Sequence, residues 1–169
     1  MSEMSQYIFP EAHGSITLRP TFRTTHIVGS HFHHTVENMY AYEASLRTHI
    51  GNNVITLEKG DVILINQNVI HRHEHLTDGN RLFVHLDADF YLAQLTQNTT
   101  YGPFDNFIKS KAAKSYLVLK GDNEIKDLVL KIWKEAETQK KRHNLYIKSY
   151  CYQIVSFMCR NDLLSDVSH

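Results

Sequence analysis

What most constrains the fold is a change of hydrophobic period partway along the chain. Up to about residue 86, apolar and polar residues alternate in short runs interrupted by turn signals. A period of two belongs to half-buried strands. Residues 22–28, 38–47, 54–58, 62–66 and 81–87 are the predicted strands. In 38–47, Tyr40, Tyr42, Ala44 and Leu46 share one face, and in 81–87 so do Leu82, Val84 and Leu86. Gly51-Asn52-Asn53 and Glu58-Lys59-Gly60-Asp61 supply turns, because Gly and Asn accept the positive φ that tight hairpins need. No long helix separates these strands, which excludes βαβ units and points to a sandwich or barrel.

Beyond residue 88 the period lengthens to three and four. Residues 88–97 and 105–114 are predicted as short helices, separated by the polar stretch 97–102 and Pro103, and 116–119 as a short extended piece. Gly121-Asp122-Asn123 can cap a helix carrying Ile125, Leu128, Val129, Ile132, Trp133 and Ala136 on one stripe. Lys140-Lys141-Arg142 ends it, and a second helix carries Ile147, Tyr150, Cys151, Ile154, Val155, Met158 and Cys159. The expected division is an N-terminal arm (1–14), a barrel (15–95), a connecting segment (96–122) and a helical hairpin (123–165). Part of the hairpin's apolar stripe is expected to pack on the barrel and part to form a symmetric dimer contact.

Composition narrows the functional classes. The 169 residues carry no formal net charge with histidine neutral, so nothing argues for a basic face gripping phosphates. The N-terminus has no basic, apolar leader, and no stretch approaches 18 apolar residues, so a cytoplasmic chain without membrane insertion is expected. Cys151 and Cys159, about 12 Å apart along a helix axis, are too distant for a disulfide within it and read as small buried hydrophobes. The sequence contains no Gly-x-Ser-x-Gly elbow, phosphate-cradling glycine loop or CxxC pair, and no catalytic residue is assigned.

The unusual feature is 12 histidines. In the run His31-Phe32-His33-His34-Thr35-Val36-Glu37, an extended backbone aims His31, His33 and Glu37 to one face and His34 to the other. A later strand opened by Gly60-Asp61 leads to His71, which a hairpin-built barrel could bring alongside. Three imidazoles and one carboxylate meeting in a dry interior suit a divalent transition metal such as Zn, Ni, Fe or Mn. Without metal they suit a polar pocket for a small ligand. Tyr40, Tyr42 and Phe83 are candidate aromatic walls and His85 a candidate pocket residue. His73 and His75 lie in a polar run and are expected on the rim or surface.

His31-x-His33-x-x-x-Glu37 resembles the first cupin motif, and Gly60-Asp61 followed ten residues on by His71 resembles the second. Cupins are jelly-roll β-barrels. Residues 60–71 resemble the N-terminal domains of AraC-type transcription regulators, with Gln67 where proline is common. Ile132-Trp133-Lys134-Glu135 and residues 146–160 resemble the paired dimerisation helices that follow the barrel there. The glycine that opens the first motif in cupin enzymes is not at its usual distance from His31. The resemblance implies a mainly β chain with α elements, a cupin-like jelly-roll barrel followed by a helical hairpin. It also implies a homodimer that senses a small-molecule effector. DNA contact is expected only through the family's helix-turn-helix units, absent from these 169 residues. A stand-alone metal-dependent cupin enzyme, a dioxygenase or isomerase, is the competing reading.

Overall fold

A computed structural model describes residues 5–19, 27–97 and 114–164. Among these residues, ten strands and three α-helices follow in chain order: β1 (Ser5–Phe9), β2 (Gly14–Arg19), β3 (Ile27–His31), β4 (Val36–Tyr40), β5 (Leu46–Ile50), β6 (Asn53–Leu57), β7 (Val62–Ile65), β8 (His71–His75), β9 (Arg81–Leu86), α1 (Ala88–Gln97), β10 (Tyr116–Leu119), α2 (Glu124–Thr138) and α3 (His143–Arg160). All pairings are antiparallel, in a six-stranded sheet ordered β1-β2-β9-β4-β7-β10 and a four-stranded sheet ordered β3-β8-β5-β6. The result is the expected mainly β architecture: a cupin-like jelly roll with a helical hairpin appended.

Two strand predictions need correcting. Residues 38–47 are not one strand: β4 ends at Tyr40, the chain bends through 41–45, and β5 starts at Leu46 in the other sheet. The run from His31 to Glu37 likewise leaves the four-stranded sheet at His31 and enters the six-stranded one at Val36. Local alternation survives such a crossing, so the sequence shows continuity where the fold changes sheets. Of the predicted strand 22–28, only residues 27 and 28 are described, and 105–113 of the predicted helix 105–114 lie outside the described residues. The expected arm is instead built into the barrel wall: β1 pairs along its whole length with β2, from Ser5↔Leu18 to Phe9↔Gly14. Within the expected connecting segment, β10 pairs with β7.

Alternation in the six-stranded sheet feeds two cores. Val36, Tyr40, Val62, Leu64, Leu82, Val84 and Leu86 face outward and are buried beneath the helices. Met39, Ile63, Ile65 and Phe83 face inward and meet Leu46, Ile50 and Leu57 of the four-stranded sheet. The helices cover the outer face because their stripes are apolar. Ile125, Leu128, Val129, Ile132 and Ala136 of α2 are buried, as are Ile147, Cys151, Ile154, Val155 and Met158 of α3. Each fully buried aliphatic side chain there contributes roughly 1.5–3 kcal/mol. Asn123 caps α2, its side chain accepting from the Lys126 amide at 2.9 Å. Both cysteines are free, Cys151 buried and Cys159 half-buried. Among the described residues, no helix is long and apolar enough to cross a membrane.

Candidate metal centre

Strand ends place the candidate residues. His31 closes β3, His71 opens β8, Glu37 lies second in β4 and His85 next to last in β9. Register then juxtaposes them: His31 pairs with His71, and Glu37 with His85 on one side and Ile65 on the other. The loops leading into the site are tied together, with the Asn68 amide donating to the His33 carbonyl at 2.8 Å. His34 points outward as expected and meets the Asn68 side-chain oxygen at 2.8 Å.

Glu37 is the centre, only 2 % exposed. Its Oε1 lies 2.9 Å from His73 Nε2. Its Oε2 lies 3.1 Å from His85 Nε2, 3.3 Å from His33 Nε2 and 3.8 Å from His71 Nε2. His31 completes the ring, its imidazole centroid 4.4 Å from that of His71. Burial by itself would raise the Glu37 pKa, but the adjacent His73 and the hydrogen bonds of the surrounding imidazoles hold it well below the usual carboxylate range. Burial, reinforced by His71, pushes His31 down. Burial also works against the His33 cation, but the hydrogen bond and charge of Glu37 prevail and raise its pKa.

Backbone carbonyls set the ring orientations. His31 Nδ1 lies 2.8 Å from the Gly29 oxygen, His33 Nδ1 2.7 Å from the Thr35 oxygen, and His71 Nδ1 2.8 Å from the Val69 oxygen. A carbonyl can only accept, so each Nδ1 carries the proton; in the neutral ring this leaves Nε2 of His31 and His71 with a lone pair, whereas His33 Nε2 donates to Glu37 Oε2 as the site stands. Oriented imidazoles of this kind are what metal sites use. One ligand atom from each of His31, His33, Glu37 and His71 can be chosen so that all lie within 4.8 Å of one another. His71 Nε2 is buried without a hydrogen-bond partner. That orphaned lone pair fits a cation, which would satisfy it.

The other sequence candidates divide. His85 joins the cluster, and Phe83 faces inward with its ring edge-on to His73 at 5.8 Å. Tyr40 and Tyr42 do not wall the site. Tyr40 faces the helices, and the Tyr42 ring lies tilted between it and Trp133, with centroids 5.7 and 6.0 Å away. The expectation that His73 and His75 lie on the rim is also wrong, since they are 1 % and 3 % exposed. β8 buries every second residue, His71, His73 and His75, and turns Arg72 and Glu74 outward. The period of two was present in the sequence, but five consecutive polar residues concealed it. Asp61, the acid of the second motif, is structural. It accepts from the Glu58 amide at 2.8 Å, Lys120 Nζ at 2.6 Å and the Gly121 amide at 3.2 Å.

Fold and site together define a jelly roll with a histidine–glutamate cluster at one end of its interior and a helical hairpin on its outer face. No protein-family model matches the sequence, and no curated protein is similar enough to count as a relative. Among solved structures, the fold is similar to that of ToxT from Vibrio cholerae with an unsaturated fatty acid bound. The TM-score is 0.61 at 12 % identity, over 100 % of this chain and 60 % of that one. An apo ToxT variant gives 0.61 at 11 % identity over 92 % and 60 %, and another ToxT crystal form 0.57 at 12 % over 93 % and 59 %. The chain therefore spans about 60 % of the length of ToxT.

Proposed function

We propose that this chain is the ligand-sensing module of an AraC-type transcription regulator, binding a small molecule inside its barrel and passing the event to the helical hairpin. One observation carries the reading: the strands that hold the site also floor the helices. β4 turns Glu37 inward and Val36 and Tyr40 outward, and β9 turns His85 inward and Val84 and Leu86 outward onto the helical core. A change in the positions of Glu37 and His85 is felt directly beneath α2 and α3, because close-packed interfaces transmit small displacements. Similarity of fold to ToxT, a regulator of this type, over the whole chain including the hairpin supports the same reading.

His31, His33, Glu37 and His71 would hold a divalent transition metal such as Zn, Ni, Fe or Mn. A metal bound there supplies a Lewis-acidic anchor for an oxygen- or nitrogen-bearing ligand. The residues themselves orient that ligand and limit its contact with water, the side chains of His33 and His85 each being 22 % exposed. ToxT is seen with an unsaturated fatty acid. The imidazole lining here favours an effector with a polar or anionic head. The hairpin would serve as the homodimer contact, and DNA would be reached through helix-turn-helix units in a longer protein. The ligand shifts the hairpin only by its difference in affinity for the two arrangements, typically 1–3 kcal/mol.

Trp133, the single tryptophan, sits on α2 against Tyr42 and reports the coupling. Titration with Zn²⁺ or Ni²⁺ should change its emission, and His71→Ala should abolish the change. Metal uptake with Trp133 emission and oligomeric state both unaltered would contradict the sensor reading. The same oriented donors on an accessible side suit a metal-dependent enzyme, and that result would favour it.

A further inference from the structure

Two buried residues beyond the four metal candidates act on Glu37 from the opposite sheet. Thr48 on β5 and His73 on β8 are cross-strand partners, 0 % and 1 % exposed. Thr48 Oγ1 lies 2.9 Å from His73 Nδ1, and His73 Nε2 lies 2.9 Å from Glu37 Oε1. An ionised carboxylate can only accept, so His73 donates from Nε2. In the neutral ring Nδ1 must then accept, and the Thr48 hydroxyl donates to it. The chain Thr48 Oγ–H to His73 to Glu37 therefore runs in one direction. Phe83, edge-on to the His73 ring at 5.8 Å, packs beside it.

The two carboxylate oxygens are consequently unlike. Oε1 is held by the buried His73 alone, whereas Oε2 accepts from the partly exposed His85 and His33 at 3.1 and 3.3 Å and stands 3.8 Å from the unpartnered His71 Nε2. We infer that Thr48 and His73 are positioning residues that reserve Oε1 of Glu37 and present Oε2 alone to a bound cation. The inference rests on the metal reading above and deepens it. A one-oxygen carboxylate leaves more of the cation's coordination free for an effector than a two-oxygen one. Hydrogen bonds to ligating side chains of this kind commonly govern metal affinity by about 10–100-fold.

If Thr48 and His73 merely satisfy one another in the core, removing either costs stability and leaves metal affinity alone. Co²⁺ binding to the full chain distinguishes the cases, with affinity read from the visible absorption of the bound ion and confirmed by Zn²⁺ competition. His73→Leu should weaken binding by about 10–100-fold, and His73→Gln, which keeps an N–H near the same point, should restore part of it. Thr48→Val, isosteric and without the hydroxyl, should weaken binding less, and should have no further effect in the His73→Leu background, because it acts through His73. A lowered metal-free Tm with unchanged Co²⁺ affinity in both variants, or an equal Thr48→Val effect in both backgrounds, overturns the relay. If His73→Leu does not fold, Thr48→Val against the wild type decides. A wild-type protein that takes up neither Co²⁺ nor Zn²⁺ is a separate result, refuting the metal reading and the relay together.

Discussion

A carboxylate 2 % exposed persists inside a barrel only when groups that favour its charge surround it, and Glu37 has four imidazoles within 4 Å. Another residue under tight control is Gly79, whose φ is 141° and whose added Cβ would stand 2.8 Å from both the Ala44 Cβ and the Glu43 backbone. Gly79→Ala should cost about 2–5 kcal/mol in urea unfolding, combining backbone strain with overpacking. Gly51→Ala, at φ 56° with open space around it, should cost only about 1–2 kcal/mol. Equal costs would show that sterics at Gly79 are relieved elsewhere. Cys151, pushed up to about 12 by burial, should resist thiol reagents at pH 8 in the folded protein and react on unfolding. The four metal candidates were legible in sequence because their spacing fits two hairpins. Tyr40 and Tyr42 were misplaced because alternation gives the face of a strand without saying which face holds the site.

At the level of elements, the turn between β6 and β7 is locked to the start of α2 by Asp61. Burial works against its charge, but the Lys120 hydrogen bond and the Glu58 and Gly121 amides hold its pKa below the ordinary aspartate value. A group whose folded pKa is depressed stabilises the protein above its unfolded pKa, and that stability is lost as pH falls through the folded value. Asp61→Asn should therefore destabilise by about 1–3 kcal/mol near neutrality. The gap from wild type should close below about pH 4, as read from urea midpoints at several pH values. A gap that stays constant down to pH 2 would remove Asp61 from that role. Helices α2 and α3 were legible because their apolar stripes run uninterrupted. Strand boundaries near 41–45 and 32–35 were not, since a chain crossing between sheets keeps its alternation. β8 was missed because histidines buried around an acid look, in sequence, like a polar loop.

Taken as a whole, the described residues form a sandwich in which the six-stranded sheet has an inner face carrying Glu37 and His85 and a helix-bearing outer face. That arrangement follows from two features visible in the chain: alternation in the first half and helical stripes in the second. The convergence of His31, His33, Glu37 and His71 needed the sheet registers, which no local pattern specifies. Everything proposed for function depends on those four side chains forming one cation site. The most direct measurement is metal content after Zn²⁺ loading and desalting of the wild type and His71→Ala. About one tightly held ion per chain is predicted for the wild type, with retention lost on removing His71. A wild type that retains no ion, or a His71→Ala protein that retains as much, would contradict the site.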